Sequence, residues 1–167
     1  VLDTARLLKD YEDIVFLIVG NGVAKPGLQD YAEELGLENV RFLPFQPRED
    51  LPEMYASSDV CLVPLRKGVA TDSVPSKLLT ITAAGRPLIA SVDRNSDTYR
   101  FVERAECGLW VEPEDPDALA EAILTLYHDP DRRERLGRNG RAYVEARYTP
   151  QVVAQQYASL LERTANG

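Results

Sequence analysis

Cysteine is scarce in this sequence: Cys61 and Cys107 stand alone, with no Cys-x-x-Cys spacing. That leaves no basis for a disulfide scaffold or a thiolate zinc site. Histidine is scarcer still, and His128 by itself makes a poor foundation for a His-based metal site or acid–base pair. Basic side chains are outnumbered, with 19 Lys+Arg against 27 Asp+Glu and a net charge of 19 − 27 = −8. A nucleic-acid or anionic-membrane surface needs a dense basic patch, so this balance argues for no nucleic acid as partner. No apolar run approaches the ~20 residues of a membrane span, and no charged-then-apolar leader opens the chain. The expectation is a reduced, soluble, cytoplasmic protein with no transmembrane segment.

What is present is globular. Hydrophobic residues make up 44% and charged residues 28% of 167, a length suited to one domain. The apolar residues fall in periodic runs, which argues against disorder. Five runs are rich in Val, Ile and Leu: Ile14 to Gly20, Val40 to Phe45, Val60 to Leu65, Pro87 to Val92 and Leu109 to Pro113. The first, third and fourth are almost wholly apolar rather than alternating. Strands buried on both faces read this way, which predicts a parallel sheet covered by helices.

Helical patterns lie between them. Leu28, Tyr31, Ala32 and Leu35 share one face, and Leu51, Met54 and Tyr55 begin another stripe. Leu119, Ala122, Ile123, Leu126 and Tyr127 mark a further helix, and Val153, Tyr157, Leu160 and Leu161 the last. Ser76 to Ala84 is apolar over most of its surface. Pro75 suits its first helical position, and Gly85 with Arg86-Pro87 suits its stop. The order predicts an α/β fold, a Rossmann-like doubly wound parallel sheet with helices on both faces. One oddity is that the chain opens on a helix, with Val1, Ala5 and Leu8 on one face, where such a domain normally opens on a strand.

In such sheets ligands bind beyond the carboxyl ends of the strands. Gly20-Asn21-Gly22 follows the first run. It is either a tight strand-to-helix turn or a place where backbone meets ligand closely. It is no dinucleotide fingerprint, because Lys25 and Pro26 follow. Pro44-Phe45-Gln46-Pro47 follows the second run, as a rigid loop or as an aromatic and an amide beside a nucleobase. The stretch Arg66 to Ser73 holds two cations, Gly68 and Asp72, and runs into the helix opening Val74-Pro75-Ser76-Lys77. A helix N-terminus binds phosphate through free N–H groups and its dipole. Ser73 as an N-cap accounts for the serine and proline. It does not account for Lys77, a cation placed against the dipole that a bound anion would compensate.

Other features have plain explanations. Asp115-Pro116-Asp117 resembles a sugar-transferase metal motif, but acids before an amphipathic helix cap it, so no metal site is expected there. Cys61 reads as a buried small hydrophobe, Trp110 as core and the acidic helix faces as solvated surface. His128 sits favourably near a helix C-terminus.

The segment VPSKLLTITAAGRPLIAS, Val74 to Ser91, resembles the donor-binding segment of retaining GT-B glycosyltransferases of family 4. IVGNG, NVRFLPFQPREDLPEMYASSDVCLVPL and CGLWVEPEDPDALAEAI resemble the same family, and the likeness extends to about residue 148. The wording VPSK…AAGRP is most similar to enzymes of bacterial exopolysaccharide, capsule and O-antigen synthesis. The resemblance implies a donor domain for a nucleotide-diphosphate sugar (UDP-, GDP- or ADP-linked), working with an N-terminal acceptor domain absent from these residues, and usually without a metal or other cofactor. Residues 1–167 would form a single nucleotide-sugar-binding domain, cytoplasmic or peripheral at the inner membrane through the other domain.

By the same resemblance, Asp72 takes the place of the family's first acid, facing the donor sugar as its catalytic group. Thr80 takes the place of the second acid, which binds ribose, and offers only neutral hydrogen bonds. Ser73, Val74, Pro75, Ser76 and Lys77 would surround the diphosphate, with Arg66, Lys67 and Arg86 as further cations around that helix. Phe45 and Gln46 would flank the base, and Gly20, Asn21 and Gly22 would line the cleft. The family's central first strand and the basic pair after it have no counterpart here. The sheet must then close up, recruit another segment or rely on residues outside this sequence. Two rival readings are a non-catalytic nucleotide-sugar-binding module and a nicotinamide-dependent oxidoreductase.

Overall fold

The computed structural model describes residues 1–68 and 75–165. Strands β1 (Phe16–Val19), β2 (Val40–Leu43), β3 (Cys61–Pro64), β4 (Leu88–Ser91) and β5 (Gly108–Val111) alternate with helices α1 (Leu2–Leu7), α2 (Lys25–Glu34), α3 (Leu51–Ala56), α4 (Ser76–Ala83) and α5 (Asp97–Ala105). Helices α6 (Pro116–Tyr127), α7 (Pro130–Arg147) and α8 (Pro150–Ala165) follow. Every ladder is parallel: Phe16 lies opposite Val40, Cys61 opposite Leu88, and Leu88 opposite Gly108. The α/β class matches the expectation.

The sheet comes in two pieces. β1 pairs with β2, and β3, β4 and β5 form a second sheet, with no ladder joining the two among the described residues. Side-chain packing joins them instead. Leu2 and Ala5 of α1, with Leu8 just beyond it, share one buried cluster with Phe16, Val40 and Ala120 of α6, and Leu62 of β3 packs against it. The opening helix thus fills the space against which both sheets lie.

The larger sheet is covered on both faces. Cys61, Val63, Leu88 and Ala90 face Leu78 and Ile81 of α4, Phe101, Val102 and Ala105 of α5, and Val144 of α7. On the other face, Ile89 and Val111 meet Leu119, Ala122 and Leu126 of α6 and Leu136 of α7. The apolar runs of β3 and β4 are explained by this double cover. β1 departs from it: Phe16 is buried, but Leu17 is 45% exposed, because the helices cover only the Phe16 face. The stripe of α8 is also largely uncovered, with Tyr157, Leu160 and Leu161 exposed. Trp110 is half-buried at the β5 edge rather than in the core.

The ends of α4 fix where its first turn points. Pro75 is its N-cap, not its first helical residue, because ψ of 132° is extended. At the other end Gly85 adopts φ +69°. The Gly85 N–H donates to Thr82 O at 3.0 Å and the Arg86 N–H to Ile81 O at 3.2 Å. These two bonds close the last turn through a left-handed glycine, as the sequence leads one to expect. α7 then crosses this end closely. A Cβ at Gly137 would lie 2.1 Å from Gly85 O, and one at Gly140 would lie 2.8 Å from Cys107 Cβ.

Other expectations hold. The Asp115 carboxylate accepts the Ala118 N–H at 2.9 Å and caps α6, so Asp115-Pro116-Asp117 opens a helix. Cys61 and Cys107 are free and buried, and burial pushes their thiols up to about 11 and about 12.

Candidate functional site

The carboxyl ends of the strands gather the loops in question. The loop after β1 turns at Gly20, where φ is +143°, a value that side-chain-bearing residues rarely adopt. The Gly20 N–H donates to Leu43 O at 3.2 Å, extending the β1–β2 ladder past its last pair. Asn21 and Gly22 are exposed.

Lys25 ties these parts together. Its Nζ donates to Gly20 O at 2.9 Å, to Leu43 O at 2.8 Å and to Asn21 Oδ1 at 3.4 Å. Gly20 and Asn21 are therefore tied to Leu43, at the end of β2, through one ammonium. In the loop after β2 the Gln46 side-chain amide donates to Pro44 O at 3.0 Å, and the Phe45 ring is 70% exposed. Phe45 stands free to stack, while the Gln46 amide is engaged with its own loop.

α4 presents its first turn to the same edge. The Leu78 N–H reaches back to Pro75 O at 2.9 Å. Among the described residues, the N–H groups of Ser76 and Lys77 have no intramolecular acceptor, and no side chain caps this end. They carry the positive end of the helix dipole. Lys77 is half-buried, and that burial pulls its ammonium below the ordinary 10.5. Ser76 and Thr80 lie on one face, one turn apart, and the Thr80 hydroxyl donates to Ser76 O at 3.4 Å. Asp72, Ser73 and Val74 lie outside the described residues.

Arg86 does not belong to this group. It follows the C-terminal end of α4, and its guanidinium donates to Ala56 O at the end of α3. Arg66 and Lys67 are exposed in the loop after β3.

Two acids missing from the expectation hold that loop. Asp93 Oδ2 accepts the Gly68 N–H at 2.7 Å, and Glu114 Oε1 accepts the Lys67 N–H at 3.4 Å. Glu114 does so from φ +62°, unusual for a residue with a Cβ. Asp93 and Glu114 follow β4 and β5, so three successive loops at the carboxyl edge are fastened by carboxylates to backbone. The position of an acid just past β4 was the available signal. Two open grooves, of about 420 and 530 Å³, lie elsewhere, along the free edge of β5 with Trp110 and Arg132 in both.

The arrangement has, among the described residues, an N–H pair without an acceptor and an ammonium at a helix start, and an aromatic ring on the clamped loop after β2. It can hold an anion at one end and a planar ring at the other. Among the described residues no cluster of His, Cys, Asp and Glu is arranged to hold a metal ion.

Comparison with known proteins agrees with the resemblance. The chain is 31% identical over 164 residues to a D-inositol 3-phosphate glycosyltransferase of Corynebacterium urealyticum, covering 93% of this chain and 37% of that one. It is 32% identical over 139 residues to WcaI of Escherichia coli strain K12, a glycosyl transferase provisionally assigned to colanic acid biosynthesis, with 80% and 34% covered. The chain thus spans little more than a third of the length of these relatives. Among solved structures, a sucrose-phosphate synthase from Thermosynechococcus elongatus superposes with a TM-score of 0.77 at 27% identity, over 98% of this chain and 42% of that one. Anabaena HepE, solved with UDP-glucose, superposes with a TM-score of 0.81 at 22% identity, over 97% and 44%. These neighbours are GT-B glycosyltransferases. The family model described as glycosyl transferases group 1 matches residues 1–143, and the chain belongs to that family.

Proposed function

We propose that this chain is the donor-binding domain of a retaining glycosyltransferase that takes a nucleotide-diphosphate sugar. One observation carries the reading: the N–H groups of Ser76 and Lys77, which have no acceptor among the described residues, with the half-buried Lys77 ammonium, at the carboxyl edge of the sheet. In transfer, the bond from the sugar's anomeric carbon to the diphosphate oxygen breaks, and the diphosphate leaves with the electron pair. The acceptor hydroxyl forms the new bond on the same face, and its proton passes to the departing phosphate. Charge grows on the diphosphate in an oxocarbenium-like transition state. Donors already aimed at that oxygen stabilise it without reorganisation.

In this reading Phe45 stacks on the base, and Gly20 to Gly22 line the cleft. Asp72 retains the role of facing the donor sugar, and Ser73 and Val74 that of completing the diphosphate cradle. Acceptor binding requires residues beyond these 167, consistent with the third of its relatives' length that the chain spans. Residues 1–167 alone then bind nucleotide weakly and transfer no sugar. The name of WcaI supports a role in bacterial exopolysaccharide or capsule synthesis. Two buried free thiols suit a reducing, cytoplasmic setting.

A binding-only module is favoured by one observation. The Thr80 hydroxyl, in the family's ribose position, is already engaged with Ser76 O. Thermal-shift titration with UDP, GDP and ADP tests the site, and turnover of the corresponding sugars by the full protein separates the two readings. Stabilisation by a nucleotide that Lys77→Ala abolishes supports the site, and no stabilisation by any of the three refutes it.

A further inference from the structure

We propose that Lys25 is a positioning residue for the nucleoside, acting through the two loops it clamps. The proposal rests on the donor-binding reading above. Lys25 opens α2, where a cation opposes the helix dipole and no acid lies in the first turn. It makes no ion pair among the described residues. Its ammonium is held by oxygens alone: Gly20 O and Leu43 O at 2.9 and 2.8 Å, and Asn21 Oδ1 at 3.4 Å. An ammonium has three donors, and each has an acceptor.

This clamp determines what the second loop has left to offer. Lys25 and the Gly20 N–H occupy Leu43 O, and Gln46 occupies Pro44 O. Pro44 has no N–H. The N–H and C=O of Phe45 have no intramolecular partner among the described residues, and its ring is 70% exposed. One donor, one acceptor and one aromatic face, next to one another, match the edge and face of a nucleobase. Lys25 touches none of these groups. It fixes the carbonyl two residues before Phe45 to the turn at Gly20, so it sets where the Phe45 peptide and ring stand relative to the cleft.

The diphosphate cradle on α4 is a separate element, which gives the proposal a distinctive test. In the full protein, Lys25→Met is expected to raise the dissociation constant for the preferred nucleotide about tenfold. The KM for its sugar donor should rise likewise, with kcat nearly unchanged. Binding of inorganic pyrophosphate should stay the same, because it uses the α4 end alone. Lys25→Arg, which keeps donors for both carbonyls, should recover most of the nucleotide affinity. Equal losses for nucleotide and pyrophosphate, or no loss of nucleotide affinity, would overturn the proposal and leave the donor-binding reading standing. If the unaltered protein bound pyrophosphate but none of UDP, GDP and ADP, both would fall. Should Lys25→Met not fold, Lys25→Gln carries the same comparison, since one amide cannot serve both carbonyls with three donors.

Discussion

The Gly68 N–H donates to Asp93 Oδ2 at 2.7 Å, so the loop that leaves β3 is held by the loop that leaves β4. The bond is short and charge-assisted, and it joins positions 25 residues apart. Asp93→Ala removes the acceptor and leaves the Gly68 N–H to water. Because the pair is near the surface, the stability loss should be about 1 kcal/mol. The functional loss should be larger. Gly68 leads from Arg66 and Lys67 toward the cradle at α4, and donor KM should rise while the urea midpoint moves little. An Asp93→Ala protein with unaltered donor KM would show that the tether serves the fold alone.

Glu114 gives a second handle on that loop, with a different balance of terms. It holds φ +62°, and left-handed backbone costs a Cβ-bearing residue roughly 1–2 kcal/mol. Its bond to the Lys67 N–H, at 3.4 Å, is long. Glu114→Gly relieves the strain, loses a weak bond and frees the unfolded chain by about 0.4–1 kcal/mol. The net change in stability should be close to zero. Glu114→Val keeps the Cβ, adds branching and loses the bond, so it should destabilise clearly. Denaturant midpoints for the pair check this, and equal destabilisation by glycine and valine would contradict the strain argument.

Gly137→Ala tests the seat of α4. The added Cβ would lie 2.1 Å from Gly85 O, an atom of backbone that cannot swing aside. Gly85 is the residue whose left-handed turn ends α4. Overpacking of this kind costs about 1–3 kcal/mol, and α7 or the end of α4 must shift. A drop in melting temperature is the expected readout. Unchanged stability would mean that the helices separate more easily than their buried contacts imply.

The central architecture was legible where local pattern and tertiary cover agree. The unbroken apolar runs of β3 and β4 announced a doubly covered parallel sheet, and Gly85-Arg86-Pro87 announced the stop of α4. β1 misled for a physical reason. Ile14 to Val19 is as apolar as β4, yet Leu17 is 45% exposed, since cover depends on which helices arrive and not on the strand. The role of Lys25 was invisible because it depends on a glycine at φ +143° and a carbonyl 18 residues on. In the sequence Lys25 served only to reject a dinucleotide fingerprint. The position of Asp93 just past β4 was a signal, but the contacts of Asp93 and Glu114 were hidden for the same reason, since a carboxylate that accepts a backbone N–H from another loop leaves no periodic trace. Lys77 could be singled out as a cation in the first turn of a helix; Lys25 breaks the same local rule, but the carbonyls that hold it come from the turn at Gly20 and the end of β2 and are set by tertiary structure.

Lys77 also gives the site a pH signature. Burial lowers its pKa below 10.5 in the free protein, so the charged form carries a cost that water would not impose. The unfolded chain then binds more protons than the folded one between the lowered value and 10.5. Stability attributable to Lys77 therefore rises with pH across that window. Nucleotide binding should run the other way. A diphosphate beside the ammonium favours its charged form and raises its pKa, so binding takes up a proton in alkaline solution. Affinity for the preferred nucleoside diphosphate should fall as pH rises through the free-protein value, sooner than an exposed lysine would allow. Lys77→Arg stays charged throughout and should flatten this dependence, while Lys77→Met should bind weakly at every pH. Calorimetric titrations in two buffers of different ionisation enthalpy count the protons directly. Absence of alkaline proton uptake in the unaltered protein would place Lys77 away from the phosphates.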